Sequence, residues 1–252
     1  MMLNADISTE FIAHNFKKAH ATYDQSALVQ HQMCQHLITL IQTRLPDASP
    51  KSILEIGCGV GNLTKLYHPL WQIDELYLND LYDVHSAIDR AKLIIGDIEH
   101  IDLPRVDMAL SSSALQWMKD LPTLCHRIHH ALSDASTFAF ATFGQDNLHE
   151  MKTLTGIGLD YHSLDDIIQM LSKAGFDVIH TEQTPYTLYF DQPKQILRHI
   201  KETGVSVGSV GWTKSSLAQF YENYRKKFAI FNDGKWRYPL TYDAIYVVAV
   251  KR

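Results

Sequence analysis

SILEIGCGVG, residues 52–61, decides the fold. Its first half, Ser52 to Ile56, is a short apolar run of the kind that forms a buried strand, and glycines follow at positions 57, 59 and 61. Glycine tolerates φ > 0 and lets another molecule approach the backbone closely. The spacing therefore predicts a strand, a tight turn and then a helix at 62–68. In open α/β sheets such a turn lies at the carboxyl end of a strand, where ligands bind.

Working outward, further apolar runs occur at 76–78, 92–95, 106–111 and 136–143, with a helical pattern at 121–132. Strands alternating with helices predict a mostly parallel sheet with helices on both faces. Upstream, 8–45 carries apolar residues at three- and four-residue spacing, including Ala27, Val29, Met33, Leu37 and Leu40, and reads as helical. A break is expected near Tyr23 and Asp24, with Asp24 capping a second helix. Pro46 to Pro50 reads as a linker. Downstream, 163–174 reads as a helix capped by Ser163 and stopped by Gly175, and 176–184 as a strand. Residues 185–235 then interrupt, with a strand-like 186–190 and helices near 193–203 and 214–229. A last strand, rich in Tyr, Val and Ile, is expected at 238–250. No internal repeat is evident. The expected organisation is an N-terminal helical lid (1–45), a core (50–184), an inserted lobe (185–236) and a last core strand (237–252).

Composition narrows the function classes. The 252 residues carry 23 Lys and Arg against 28 Asp and Glu, a net charge of −5, which argues against a nucleic-acid partner. No apolar run approaches the roughly 20 residues of a membrane-spanning helix, and the N-terminus lacks the basic-then-apolar pattern of a secretory signal. Cys34, Cys58 and Cys125 fit neither a disulfide framework nor a zinc knuckle, so a cytoplasmic protein is expected. Of the 14 histidines, His126, His129 and His130 share one helix without carboxylate companions, and no metal site is expected.

The loop itself selects a ligand chemistry. A dinucleotide site wants GxGxxG, with pyrophosphate on the helix N-terminus. Here the spacing is GxGxG, and Glu55 precedes it. An anion beside phosphate is unfavourable, but it suits a ligand bearing an amino group and a sulfonium cation, which is S-adenosylmethionine.

ExGxGxG after a first strand resembles the first motif of class I S-adenosylmethionine-dependent methyltransferases. The resemblance implies a Rossmann-like, seven-stranded α/β sheet with N-terminal helices and an inserted helical lobe before the last strand. It implies cofactor contacts at Glu55, Gly57, Cys58 and Gly59. In LYLNDL, Asp80 is expected to take the ribose hydroxyls, with Asn79 as the alternative. In IIGDIE, Asp97 is expected to accept the adenine amine and Ile98 to pack on the ring. Ser111, Ser112, Leu115, Gln116 and Trp117 are expected to line the opening near the reacting methyl.

Four more segments resemble the malonyl-acyl-carrier-protein O-methyltransferases, a family that starts pimelate assembly in biotin synthesis. They are FKKAHATYDQSALVQHQM, with Tyr23 and Gln30 seven residues apart, SSSALQWM, LRHIKETG and RYPLTY. Leu132-Ser133-Asp134-Ala135 departs from the Lys/Arg-Pro-Gly-Gly usual in the family before the fifth strand. The implied acceptor is the free carboxylate of malonyl-acyl carrier protein or malonyl-coenzyme A. Tyr23 and Gln30 would close over the cofactor. Arg198, Lys201 and Arg237, with Trp117, would orient the carboxylate, which needs no general base because it is already ionised. The acidic carrier would meet basic residues of the lobe: Lys194, Arg198, Lys201, Lys214, Arg225, Lys226 and Lys227. The competing readings are methylation of another small carboxylic acid or metabolite, a nicotinamide-dependent oxidoreductase, and a cofactor-binding protein without turnover.

Overall fold

Ile53, Leu54 and Ile56 are buried almost completely, so strand β1 (Ser52–Ile56) is apolar on both faces, as a strand between two helical layers must be. The structure, a computed structural model, describes residues 8–84, 90–205 and 211–252. The first seven residues, where a secretory signal was sought, lie outside that range. Helices α1 (Thr9–Ser26), α2 (Leu28–Arg44) and α3 (Thr64–Tyr67) flank β1 in sequence. Then come β2 (Glu75–Asp80), β3 (Lys92–Ile95), β4 (Val106–Ser112), a 3-10 turn at Leu115–Trp117, α4 (Leu121–Ala131) and β5 (Leu132–Phe143). The chain ends with α5 (His149–Thr155), α6 (Leu164–Ala174), β6 (Phe176–Phe190), α7 (Pro193–Glu202), α8 (Lys214–Phe228), β7 (Ile230–Asn232) and β8 (Lys235–Lys251). The sheet order is β3-β2-β1-β4-β5-β8-β6, the expected seven strands, and short β7 pairs with β8 off that path. Strands β1 to β5 pair in parallel; β8 runs antiparallel to β5.

Two compact units make up the chain. The sheet unit comprises Leu28–Gly144, His162–Gln183 and Ala244–Arg252; the lobe unit comprises Met1–Ala27, Gln145–Tyr161 and Thr184–Asp243. In the sheet unit, Leu54, Ile56, Phe138, Phe140, Ile245 and Val247 pack with Leu124 and Ile128 of α4 and Ile167 and Leu171 of α6. The alternate residues of those strands turn to the other face. There α2 packs on β4 and β5, with His36 edge-on to Tyr246 at 4.7 Å. In the lobe unit, α8 buries Phe220 and Tyr224, and the Tyr224 hydroxyl donates to the Pro239 carbonyl at 2.6 Å.

Several boundaries differ from the sequence reading. The N-terminal break falls at Ala27 rather than at Tyr23 or Asp24, and Ser8 provides the side-chain cap of α1. The helix after the glycine loop is confined to Thr64–Tyr67. Strand β6 runs unbroken through Pro185, which the edge position of β6 permits because an edge proline need not donate outward. β8 begins three residues early, at Lys235, because β7 pairs with it across an Asp233-Gly234 turn. Helix α5 was not anticipated. Its start at Leu148 sits at φ +53°, which leaves no capping signature in the sequence. The Leu132–Ala135 departure proves to be the opening of β5: the β4–β5 register shifts there, and Ala135 takes φ +59°, where a glycine is favoured.

Candidate functional site

Glu55 is the acidic group on β1 that points into the sheet unit, 1% exposed. Its Oε2 accepts from the Thr64 hydroxyl at 2.6 Å and from the Tyr67 hydroxyl at 2.7 Å. The short helix α3 exists at the place where it can present both donors. Burial pushes the Glu55 carboxyl up to about 7; the two hydroxyls pull it back, and the neighbouring Asp80 charge adds to the rise. Thr64 and Tyr67 were missed in the sequence reading. Their signal was spacing alone, one helical turn apart after the loop.

The loop is built by backbone hydrogen bonds to the end of β2. Cys58 N–H donates to the Asn79 carbonyl at 2.9 Å, and Gly59 N–H donates to Asp80 Oδ2 at 2.8 Å. The other Asp80 oxygen accepts from Leu81 N–H at 2.8 Å. Gly57 and Gly59 both have positive φ, +68° and +52°, but for different ends. A Cβ on Gly57 would lie 2.4 Å from the Ala114 Cβ, so this glycine lets the loop and the turn after β4 touch. A Cβ on Gly59 would meet nothing within 4 Å; it faces open space. That space, bordered by Asp80, is where a ligand can approach the chain.

Asn79 and Asp80 separate cleanly. The Asn79 amide donates to the carbonyls of Ile94 and Gly96, both at 3.0 Å, so it ties β2 to the end of β3 and is itself buried. At the end of β3, Asp97 Oδ1 accepts from Glu99 N–H at 3.0 Å, and Oδ2 lies 3.3 Å from His100. Ile98 is 2% exposed and belongs to the core against α4. At the end of β4, the Ser111 hydroxyl donates to the Ile56 carbonyl at 3.0 Å. Ser112 lies beside Cys34, whose thiol burial pushes up to about 12. The Gln116 amide spans from the Ser113 carbonyl to the Thr142 hydroxyl, which pins the 3-10 turn carrying half-buried Trp117. Gln30, on α2, is 4% exposed, and among the described residues its Oε1 has no partner. A buried carbonyl oxygen without a donor is costly unless a ligand supplies one. That orphan and the open ground at Gly59 fit a ligand with amino and hydroxyl donors. The sheet unit therefore carries Glu55, Gly57, Cys58, Gly59, Asn79, Asp80, Asp97, Ile98, Ser111, Ser112, Gln116 and Trp117 at or just after the carboxyl ends of β1 to β4, and Gln30 on α2.

Tyr23 and the acceptor-side cations belong to the lobe unit. Tyr23 lies edge-on to Phe16 at 6.2 Å. Arg198 Nε lies 2.6 Å from Glu202 Oε1 on the same exposed face of α7, while Glu202 Oε2 accepts from Ser26 at 3.1 Å. Arg237 pairs with Asp191. Arg198 and Arg237 thus hold different carboxylates. Among the described residues, no group of three His, Cys, Asp or Glu could hold a metal ion, and no helix is long and apolar enough to cross a membrane.

Comparison with known proteins decides between the readings. A family model described as a methyltransferase domain matches residues 29–181. A protein of Acinetobacter baylyi named malonyl-[acyl-carrier protein] O-methyltransferase is 41% identical, over 97% of each chain. This chain belongs to the malonyl-[acyl-carrier protein] O-methyltransferase family. Another member, from Haemophilus influenzae, is 34% identical over 94% of this chain and 93% of its own. A third, from Bacteroides fragilis, is 36% identical over 96% of this chain but only 50% of its own greater length. Among solved structures, a putative methyltransferase from Bacillus halodurans matches with TM-score 0.63 and 14% identity, covering 85% of this chain and 98% of that one. A chain of the Haloferax volcanii complex between the Trm112 methyltransferase activator and a putative methyltransferase matches with TM-score 0.59 and 17% identity, covering 97% and 98%. These last two likenesses are of fold.

Proposed function

We propose that the protein methylates the free carboxylate of malonyl-acyl carrier protein, with S-adenosylmethionine as methyl donor, at the start of pimeloyl assembly for biotin. The observation that carries this reading is the extent of the 41% match: at 97% of both chains, it takes in the lobe helices as well as the glycine loop. S-adenosylmethionine supplies a methyl carbon on a sulfonium: a carboxylate oxygen forms a bond to that carbon as the carbon–sulfur bond breaks, and the sulfur leaves as a neutral thioether. The acceptor is already ionised near neutrality, so the protein has no proton to remove. Its task is alignment of oxygen, carbon and sulfur.

We assign Asp80 to the ribose hydroxyls, because Gly59 and Leu81 N–H groups fix its carboxylate beside the open side of the loop. Asn79 serves by holding the strand ends together, its amide hydrogens being spent on Ile94 and Gly96. Asp97 takes the adenine amine. Gln30 Oε1 accepts from the amino-acid end of the cofactor, which relieves its burial without a donor. Glu55 balances the two positive charges of that end through the field of its carboxylate. Arg198, Lys201 and Arg237 are the candidates to hold the malonyl carboxylate, with Trp117 beside the methyl and Tyr23 on the covering helix. Of the expected 1–45 lid, α1 (Thr9–Ser26) is the candidate covering element, α2 belonging to the sheet unit, and 185–236 is the candidate acceptor lobe.

The test is incubation with methyl-labelled S-adenosylmethionine and, in parallel, malonyl-acyl carrier protein, malonyl-coenzyme A, succinyl-coenzyme A and free malonate. Base-labile label on a malonyl thioester is expected, fastest on the carrier protein. No label on any malonyl thioester, with the cofactor bound, would overturn the reading.

A further inference from the structure

The β7–β8 hairpin exposes apolar side chains that the proposed chemistry does not use. Phe231 is 64% exposed, Trp236 58% and Ile230 40%. Phe231 and Trp236 are directly opposed across the hairpin, with ring centroids 5.3 Å apart. The turn between them is Asp233-Gly234, both at positive φ, +49° and +72°, the two-residue form that matches strand twist. Its base is fixed: Tyr224 is fully buried, its hydroxyl holds the Pro239 carbonyl, and Phe220, Tyr224 and Phe228 form a ring ladder. An aromatic pair held out on a rigid base, rather than folded onto the unit, marks an interaction site.

Charge says which partner. Arg225, Lys226 and Lys227 form the exposed last turn of α8, immediately before the hairpin, and Lys235 follows the turn. Between positions 225 and 237 stand five cations, those four and Arg237, against one anion, Asp233, for a net +4 in a chain of net −5. Lys226 is tied to Glu222, whose carboxylate also feels the Arg225 charge, and Arg237 to Asp191; among the described residues no ion pair engages Lys227 or Lys235. A basic rim around an aromatic centre is complementary to an acidic surface with a small apolar patch.

We propose that this hairpin and the last turn of α8 form the docking surface for the acidic carrier protein that bears the malonyl group. The proposal rests on the reading above that the acceptor is carried by acyl carrier protein. The aromatic pair supplies the apolar anchor and the cations steer the encounter, so the surface contributes to the affinity of the carrier-borne acceptor and not to the chemical step.

The test compares two acceptors, malonyl-acyl carrier protein and malonyl-pantetheine, which has no protein to dock. The doubly substituted Phe231→Ser/Trp236→Ser protein is expected to raise KM for the carrier-borne acceptor about tenfold, with kcat unchanged and the malonyl-pantetheine rate unchanged. A second protein, Arg225→Glu/Lys227→Glu, is expected to raise the same KM and to flatten its dependence on salt. Unaltered thermal midpoints and S-adenosylmethionine affinity confirm that the variants fold. Equal losses on both acceptors, or no loss on either, overturn the docking surface while the methyl-transfer reading stands. Loss of a wild-type dimer in sedimentation, with carrier kinetics unchanged, overturns it in favour of self-association. Absence of transfer by the wild type to any malonyl thioester overturns both.

Discussion

The glycine loop and the cations of the lobe handle their charges in opposite ways. Glu55 and Asp80 are held by neighbours fixed in the strand–turn–helix unit itself: two hydroxyls from α3, two backbone N–H groups from the loop and the strand end. Arg198 and Arg237 are held by single carboxylates near the surface, Glu202 and Asp191. The first arrangement is already formed before any ligand arrives. On the function proposed above, the second is an exchange site, in which an internal carboxylate occupies the place that the substrate carboxylate is to take. A preorganised half and an exchangeable half respond to substitution differently, and the difference can be broken or sharpened by experiment.

The largest effect is expected inside the loop. Gly57→Ala sets a Cβ 2.4 Å from the Ala114 Cβ at φ +68°. The left-handed conformation costs about 1–2 kcal/mol, and the overlap with a packed neighbour about 1–3 kcal/mol more. Gly59→Ala meets open space, so only the first cost, about 1–2 kcal/mol, applies to the unliganded protein. Yet its methyl enters the ground proposed for the cofactor. Gly57→Ala should therefore lower the thermal midpoint clearly. Gly59→Ala should lower it little and weaken S-adenosylmethionine binding by at least tenfold. Equal midpoints for the two would show that the loop and the turn after β4 are not packed as tightly as the geometry requires.

Next is the titration of Glu55. Its carboxyl holds a proton more tightly when folded, up to about 7 against an ordinary 4.5. Stability from this group is therefore complete below about pH 4.5 and is lost as pH rises towards 7, by on the order of 3 kcal/mol. Glu55→Gln should flatten that part of the stability curve. A ligand bearing two positive charges pulls the carboxyl back down, so binding near pH 6 should release a proton from Glu55. Calorimetry in two buffers of different ionisation enthalpy measures the release. Its persistence in Glu55→Gln would assign the proton to another group.

The contrast between the halves also explains what was legible in the sequence. GxGxG, Glu55 and the alternating apolar runs are local patterns, so a mostly parallel α/β sheet and the loop followed from spacing, whereas the proposed cofactor-side residues followed from a family resemblance. Asn79 and Asp80 could not be told apart. They are adjacent, and their roles depend on which carbonyls and N–H groups the neighbouring strand end and loop present. Thr64 and Tyr67 escaped because nothing in their own neighbourhood names Glu55 as their acceptor. Helix α5 escaped because it starts on a left-handed leucine. The β7–β8 hairpin was read only as the tail of an interruption, although Asp233-Gly234 is a strong turn signal. On the lobe, Arg198 and Lys201 could be placed on one helix, and the claim of Glu202 on Arg198, four residues on, was a spacing the sequence offered and the reading did not use.

That claim yields the smallest effect and the sharpest sign. Arg198 is 79% exposed, and its partner Glu202 is also engaged by Ser26. Exposed pairs four residues apart on a helix add little to stability, so Arg198→Ala should leave the thermal midpoint unchanged. If the guanidinium takes the malonyl carboxylate, the same variant should raise KM for malonyl-coenzyme A about tenfold, the scale of one charge-assisted contact. Glu202→Gln then acts in the opposite direction: it removes the internal carboxylate that competes for Arg198, and KM should fall by about two- to threefold. A purely structural pair predicts no change from Arg198→Ala and none from Glu202→Gln. A clamp at Arg237 instead predicts that Asp191→Asn carries the decrease, because Asp191 competes there as Glu202 does on α7. The sign of the change on removing each carboxylate, more than the loss on removing each arginine, identifies the cation that meets the substrate.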